Sequence, residues 1–297
     1  MSIHGFDQLY QYADSLSEPA RVVAAGGADA SVLEAMRLAL DRGWIVPVVT
    51  GRVPEIRRVA DQQDIDLNGF SLIDADRPAS AAVQIVRSGR ARMLMKGQLP
   101  TSELMQAVLD RKAGLRTERT ICQMVLMEIL SAQRRFLLAD TGICIQPTLE
   151  QKIDILRSAV ELAQNLGTGQ PRVALMAATE RPVASMPETL EAAELQRRSE
   201  AGDFPGCVVS GPLSFDLAYT VEAAEKKGLS GSIVGAADVM LFPNLLSANL
   251  TVKAIMYTAD CRFGGVLCGT SCPVVFMSRA DTAETRLNSL ALALRRL

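Results

Sequence analysis

The sequence predicts an α/β protein of about two domains with largely parallel sheets. Three observations predict it. The chain has 297 residues, enough for two domains at roughly 150 residues each. Short apolar runs bounded by Gly, Pro, Asp or Ser alternate with helix-period segments, the pattern of βαβ units. The composition, 48% hydrophobic and 22% charged, is that of a globular chain. A chain this long buries enough surface to fold without disulfides or a structural metal.

The expected strands are 22–25, 45–50, 71–73, 92–95 and 136–139, then, after a break, 173–177, 207–210, 239–242, 265–268 and 274–278. The clearest helix is 148–166. Thr148 can cap it with Gln151 as capping-box partner, and Leu149, Ile153, Leu156, Val160 and Ala163 form its apolar stripe. Gly167 ends it and opens the turn 167–171, so a domain change falls between 139 and 171. The last helix runs from Asp281 to the end of the chain, with Leu287, Leu290, Ala291 and Leu294 at i, i+3, i+4 and i+7.

Several function classes are disfavoured. Lys plus Arg is 31 and Asp plus Glu is 33, a net charge of -2, whereas a nucleic-acid binder carries clustered basic charge. Aromatics make up 4%, which leaves few stacking platforms for single strands. Residues 1–16 lack the apolar core of a secretory signal, and no apolar run reaches the ~18–20 residues of a membrane span. The six cysteines then read as reduced thiols of a cytoplasmic protein. The one histidine, His4, lies near a terminus expected to fray, which argues against Ser-His-Asp and Cys-His catalysis. No metal-ligand set is expected. No GxxxxGK[ST] loop is present and no GxGxxG follows a strand.

Four strand-to-helix turns carry candidate chemistry, because open α/β sheets bind ligands at the carboxyl ends of their strands. In Val274–Asp281 a buried strand delivers Ser278 and Arg279 to a helix start, where amides and a guanidinium favour a phosphate or a developing oxyanion. Asp281 and Glu284 have the spacing of an N-cap and its capping-box partner, or serve as acids of the site. In 95–101, Lys96 ends a strand, Gly97 lets backbone approach closely, and Thr101 can cap the helix 102–109. Lys96 reads either as a phosphate-holding point charge or as a solvated loop lysine. In 210–216, Gly211 and Pro212 fix a loop, and Asp216 orients a ligand or caps a helix. In 243–253, Asn249 and Lys253 share a helix face, as ligand groups or as plain surface polarity.

Taken together and in this order, Lys96-Gly97 with Thr101, Gly211-Pro212-Leu213-Ser214-Phe215-Asp216, Pro243 with Asn249 and Lys253, and Pro273-Val274-Val275 leading to Ser278-Arg279-Ala280-Asp281 resemble the phosphate acetyl/butyryl transferase family. Leu149-Glu150-Gln151-Lys152 and Arg172-Val173-Ala174-Leu175 are similar to its phosphate butyryltransferase branch. The resemblance runs from about Val22 to the end of the chain. It implies two α/β/α domains similar in fold to isocitrate and isopropylmalate dehydrogenases, with a cleft between them. One domain (1–140 plus 264–297) takes both chain ends and the other (141–263) is inserted. The implied activity is an acyltransferase: acyl-CoA plus inorganic phosphate gives acyl phosphate plus CoA, with butyryl or a similar short acyl group. CoA is a substrate and no cofactor is permanently bound. The implied assembly is a homodimer or larger. Ser278 and Arg279 match the family's catalytic motif, with Asp281 or Glu284 as the acid that takes the thiol proton. Lys96, Gly97, Thr101, Gly211, Pro212, Asp216, Asn249 and Lys253 are the implied substrate-binding positions.

The chain departs from the family's pattern at three places. Cys122-Gln123 stands where the family often has Ser-His. Asp140-Thr141-Gly142-Ile143-Cys144 replaces Asp-Ala-Ala-Ile-Asn, and Leu246-Ser247-Ala248-Asn249 replaces Glu-Ala-Gly-Asn or Glu-Thr-Gly-Asn. These departures motivate the alternative of a CoA- or acyl-phosphate-binding relative without efficient turnover. A metal-dependent dehydrogenase on the same fold would need a carboxylate or His metal set and a nicotinamide site, and the sequence shows neither signal.

Overall fold

A computed structural model describes residues 3–297. In chain order the elements are α1 (Phe6–Asp14), β1 (Ala20–Ala25), α2 (Ala30–Asp41), β2 (Ile45–Gly51), α3 (Val53–Gln62), β3 (Ser71–Asp74), α4 (Pro78–Arg87), β4 (Met93–Lys96), α5 (Thr101–Val108), β5 (Cys122–Ile129) and β6 (Arg134–Ala139). Then come α6 (Leu149–Asn165), β7 (Arg172–Met176), α7 (Pro187–Glu200), β8 (Val208–Leu213), α8 (Phe215–Tyr219), α9 (Val221–Lys227), β9 (Val239–Leu241), α10 (Leu245–Thr258), β10 (Cys261–Cys268), β11 (Val274–Val275) and α11 (Ala283–Leu294). The alternation follows from the apolar runs: the inner strands are buried almost end to end, as strands covered on both faces must be.

The chain forms two compact units. One comprises Phe6–Arg119 and Phe263–Leu297, with strand order β3-β2-β1-β4-β11-β10. Every pairing there is parallel except β10 with β11. The other comprises Thr120–Arg262 with residues 3–5, and its strand order is β5-β6-β9-β7-β8. There β5 and β6 form an antiparallel hairpin and the remaining pairs are parallel. The border after Arg119 lies one hairpin before the 140/141 boundary read from the sequence. β6 pairs with β9, which ties that hairpin to the strands that follow it. Likewise Cys261 and Arg262 open β10 and fall in the Thr120–Arg262 unit.

The α6 capping box forms as its spacing predicts: Gln151 N–H donates to Thr148 Oγ1 at 3.3 Å and Thr148 N–H donates to Gln151 Oε1 at 2.9 Å. Gly167 follows with φ +95°, a left-handed conformation that favours glycine. The chain start is not frayed at His4. Its N–H donates to the Leu166 carbonyl at 2.8 Å and the neighbouring Ile3 is buried, so apolar burial and a capped helix end hold the segment. The strand β5 is missing from the sequence reading. Its run contains Met124, Met127 and Glu128, and no Gly, Pro, Asp or Ser lies directly before it. Glu128 is accommodated inside by Arg135 at 2.7 Å and Arg262 at 3.7 Å.

Candidate active site

In the unit formed by Phe6–Arg119 and Phe263–Leu297, the parallel strands β1, β4 and β11 lie side by side and end at one edge. The order β3-β2-β1-β4 changes direction between β1 and β4, the kind of switch point where parallel sheets open a crevice for ligands. Lys96 ends β4 there, paired with Ala25 at the end of β1. It is 1% exposed, and its Nζ donates to the Gly97 carbonyl at 3.4 Å. Lys96 is therefore not a solvated loop lysine. Burial draws its pKa from 10.5 down to about 8; the nearby cations Arg286 and Arg279 push the same way, and Asp281 and Asp29 push back. Gly97 is packed against the end of β1. A Cβ there would stand 2.1 Å from the Gly26 carbonyl oxygen and 2.7 Å from that of Ala25.

The segment carrying Ser278 and Arg279 differs from the expected strand. β11 is only Val274–Val275, and Phe276–Ser278 leaves the ladder. A tight turn replaces it. Ser278 N–H donates to Asp281 Oδ2 at 2.7 Å, Asp281 N–H to the Ser278 carbonyl at 3.3 Å, and Ala280 N–H to Ser278 Oγ at 3.3 Å. Ser278 and Arg279 are exposed. Because the Asp281 carboxylate serves the Ser278 amide, it does not cap the helix. Thr282 does, accepting from Thr285 N–H at 3.2 Å, and α11 starts at Ala283. Asp281 and Glu284 are thus not a capping box, and Glu284 stands exposed on the first turn. Thr101 is corrected in the same way. It is the first residue of α5, with Pro100 in the cap position, and it is exposed rather than capping.

Arg286 belongs to none of the motifs legible in the sequence. It is 0% exposed within α11. Its Nε donates to Ser31 Oγ at 2.9 Å, and its terminal nitrogens donate to the carbonyls of Lys96 at 3.1 Å and Ser278 at 3.2 Å. Burial lowers its pKa while Asp29 and Asp281 oppose the shift; a guanidinium remains charged regardless. Asp29 caps α2, accepting from Val32 N–H at 3.1 Å. The available signal was positional: residue 286 lies three after Ala283 and four before Leu290, on the apolar stripe.

In the other unit, β6, β9, β7 and β8 also end at one edge. Gly211 and Pro212 lie in the last half of β8. A Cβ on Gly211 would meet Leu175 Cβ at 2.6 Å, and its N–H donates to Gln196 Oε1 at 2.9 Å. A cavity of about 340 Å³ opens there, lined in part by Gln196, Ser210, Pro212, Leu217 and Ile233. Asp216 sits on the first turn of α8, beside the Ser214 hydroxyl and 3.1 Å from Lys227, and these hold its carboxyl below the usual range. The cap position of α8 belongs to Ser214, so Asp216 is not the cap. Asn249 Nδ2 donates to the Thr141 carbonyl at 3.1 Å, and Lys253, one turn on, is exposed. The structure therefore brings together Lys96, Gly97, Ser278, Arg279 and Asp281, with Thr101 and Glu284 on helix first turns of the same unit. Gly211, Pro212, Asp216, Asn249 and Lys253 belong to the other unit.

The phosphate acetyl/butaryl transferase family model matches residues 76–294. The chain belongs to this family. It is 38% identical to the phosphate butyryltransferase of Clostridium acetobutylicum, over 98% of this chain and 97% of that one. It is 35% identical to the phosphate acetyltransferase of Thermotoga maritima, over 92% and 94%. A branched-chain phosphotransacylase from Enterococcus faecalis V583 has the same fold, with a TM-score of 0.82 and 30% identity over 93% of this chain and 98% of the other. The largely parallel α/β architecture expected from the sequence is thus that of solved phosphotransacylases.

Within this phosphate acetyl/butaryl transferase, the three departures lie around one turn. The buried Asp140 carboxylate accepts from the N–H groups of Gln123, Gly142, Ile143 and Cys144 at 2.7–3.2 Å. Gln123 and Gly142 fit each other: a Cβ on residue 142 would fall 1.9 Å from Gln123 Oε1. Burial and the neighbouring Asp140 push the Cys144 thiol up to about 12, so it stays protonated and is a poor nucleophile. Leu246 stands exposed at the start of α10. Among the described residues no group of three His, Cys, Asp or Glu is placed to hold a metal, and no helix is long and apolar enough to cross a membrane.

Proposed function

We propose that this chain moves a short acyl group between CoA and inorganic phosphate, with Lys96, Ser278 and Arg279 at the phosphate end of its site. Membership of the family makes it a phosphate acyltransferase, converting acyl-CoA and phosphate to acyl phosphate and CoA. The observation that carries the site is the buried Lys96 at the carboxyl edge of β4. A desolvated ammonium with two guanidinium groups close by favours an anion beside it, and a phosphate suits that charge. Butyryl or a similar straight or branched short acyl group is the substrate we assign, supported by the 38% identity to a phosphate butyryltransferase.

In the CoA-acylating direction, a carboxylate takes the proton from the CoA thiol and the thiolate attacks the acyl phosphate carbonyl carbon. The C–S bond forms, the bond from carbonyl carbon to phosphate oxygen breaks, and the electron pair leaves on inorganic phosphate. Arg279 and the Ser278 hydroxyl stabilise the charge that grows on the oxygens. We assign the proton to Glu284, because the Asp281 carboxylate is already the acceptor that shapes the Ser278 turn. No acyl-enzyme is formed, in keeping with the protonated Cys144.

The test is purified protein with butyryl-CoA and phosphate, following thiol release. Phosphate-dependent release without added metal or nicotinamide is the expected result. A requirement for NAD, or loss with a chelator, would overturn the scheme. Tight CoA binding without turnover would instead favour a non-catalytic relative.

A further inference from the structure

We propose that Arg286 is a positioning residue of the transfer reaction, holding the end of β4 and the Ser278 turn at a set separation. This rests on the reading of Lys96, Ser278 and Arg279 as the phosphate end of the site.

Arg286 is costly to bury. It lies on a helix whose residues from Thr285 to Leu294 are all buried, between the apolar Ala283 and Leu290 on its face. For packing alone, an unbranched apolar side chain would fill that place without desolvating a charge. The guanidinium instead makes one hydrogen bond to each of three segments far apart from one another in sequence: the first turn of α2 at Ser31, the end of β4 at Lys96, and the turn at Ser278. Two of these acceptors are the backbone carbonyls of the residues assigned to phosphate and transition state. They also lie where the sheet stops providing order. Lys96 is the last residue of β4, and Ser278 lies beyond the two-residue β11, past the Val275–Met95 pair that ends their shared ladder. A rigid planar fork fixes two such carbonyls at once, which a single ammonium does not. The groups facing Lys96 are Arg286 from α11, Arg279 and Asp281 from the turn, and Asp29 at the start of α2. Arg286 therefore also adds to the positive field on Lys96.

The experiment compares Arg286→Met and Arg286→Lys with the unaltered protein in phosphate-dependent CoA release from butyryl-CoA, thermal melting, and the pH dependence of the phosphate KM. Arg286→Met is expected to change its melting temperature little, the relief of a buried charge offsetting the donors lost to Ser31, Lys96 and Ser278. Its kcat should fall about a hundredfold, the scale of a misplaced reacting group, and its phosphate KM should rise while the butyryl-CoA KM changes little. The alkaline limb of phosphate binding should move to higher pH as a cation beside Lys96 is removed. Arg286→Lys should restore only a small part of the lost kcat. Unchanged kcat and phosphate KM in Arg286→Met overturn the inference, as does a loss that tracks a lowered melting temperature with the pH limb unmoved. If Arg286→Met does not fold, full activity of Arg286→Lys overturns it. Lys96→Met separates the two readings. A normal phosphate KM in that variant removes the underlying site, whereas a raised one beside an indifferent Arg286 removes only the present inference.

Discussion

Lys96 is a site residue whose chemistry the fold alters strongly. Burial places its pKa near 8 in place of 10.5, so at neutral pH the folded chain holds a buried charge. Lys96→Met should therefore melt at a higher temperature at pH 7 while raising the phosphate KM far more than the acyl-CoA KM. Loss of a charge-assisted contact is worth about 1.5–3 kcal/mol, roughly ten- to a hundredfold. The sign of the pH effect follows from the depressed value. Between about 8 and 10.5 the unfolded chain binds a proton that the folded chain does not, so Lys96 makes stability rise with pH across that window. Phosphate affinity should fall over the same window as the ammonium is lost, and Lys96→Met should flatten that fall. Arg279 is exposed and unburdened by packing, so Arg279→Ala should leave melting unchanged. It should lower kcat and kcat/KM together by about 10²–10³-fold, the scale of one oxyanion donor. Arg279→Lys should restore little, since a point charge lacks the planar fork.

At the scale of elements, the start of α11 decides how the site is shaped. Thr282 caps the helix and Asp281 shapes the turn before it, so the two acids assigned from spacing have separate duties. Thr282→Ala should cost about 1 kcal/mol of stability, as loss of an N-cap does, with the acyl-CoA KM unchanged. Glu284→Gln should lower kcat about 10²–10⁴-fold with unchanged melting, as expected for loss of a proton acceptor on an exposed first turn. Asp281→Asn should mainly disturb the turn. An unaltered kcat in Glu284→Gln, with kcat lost in Asp281→Asn at unchanged melting, would reverse the assignment. Gly97→Ala tests the contact between the ends of β4 and β1. The added Cβ would meet backbone oxygen rather than a flexible side chain, so the protein should be destabilised by about 1–3 kcal/mol.

At the scale of the whole molecule, phosphate should stabilise the fold by mass action, adding about 2.7 kcal/mol at a hundredfold excess over its Kd. Scanning calorimetry with and without phosphate checks this, and at the same phosphate concentration the increment should drop to about 0.4–1.4 kcal/mol in Lys96→Met, whose phosphate Kd is roughly ten- to a hundredfold weaker. We propose that a second copy of this chain meets α10. Along that helix Leu246, Leu250 and Tyr257 are 69%, 60% and 78% exposed and Lys253 joins the same face. Such an apolar row on a folded surface is suited to another protein face. Leu250→Glu should yield monomers in sedimentation, while a monomeric starting protein would remove the proposal.

The sequence by itself determined the α/β class, most of the strands, the α6 capping box and the strand-to-helix turns that carry Lys96, Ser278 and Arg279. These are local matters: apolar runs between turn residues, caps three residues from their partners, and parallel strands that must end at one edge. It also carried the family motifs. Tertiary structure alone decided the rest. Met124, Met127 and Glu128 read poorly as strand until β6 and Arg135 supply the partners of β5. The duty of Asp281 passed to Thr282 because the Ser278 amide took the carboxylate first. The cost of burying Lys96, and the use of Arg286, depend on carbonyls and charges contributed from residues 29–31, 96 and 278–281. No local pattern encodes that convergence, because burial and electrostatic field are properties of what folding brings near, and spacing along the chain does not record it.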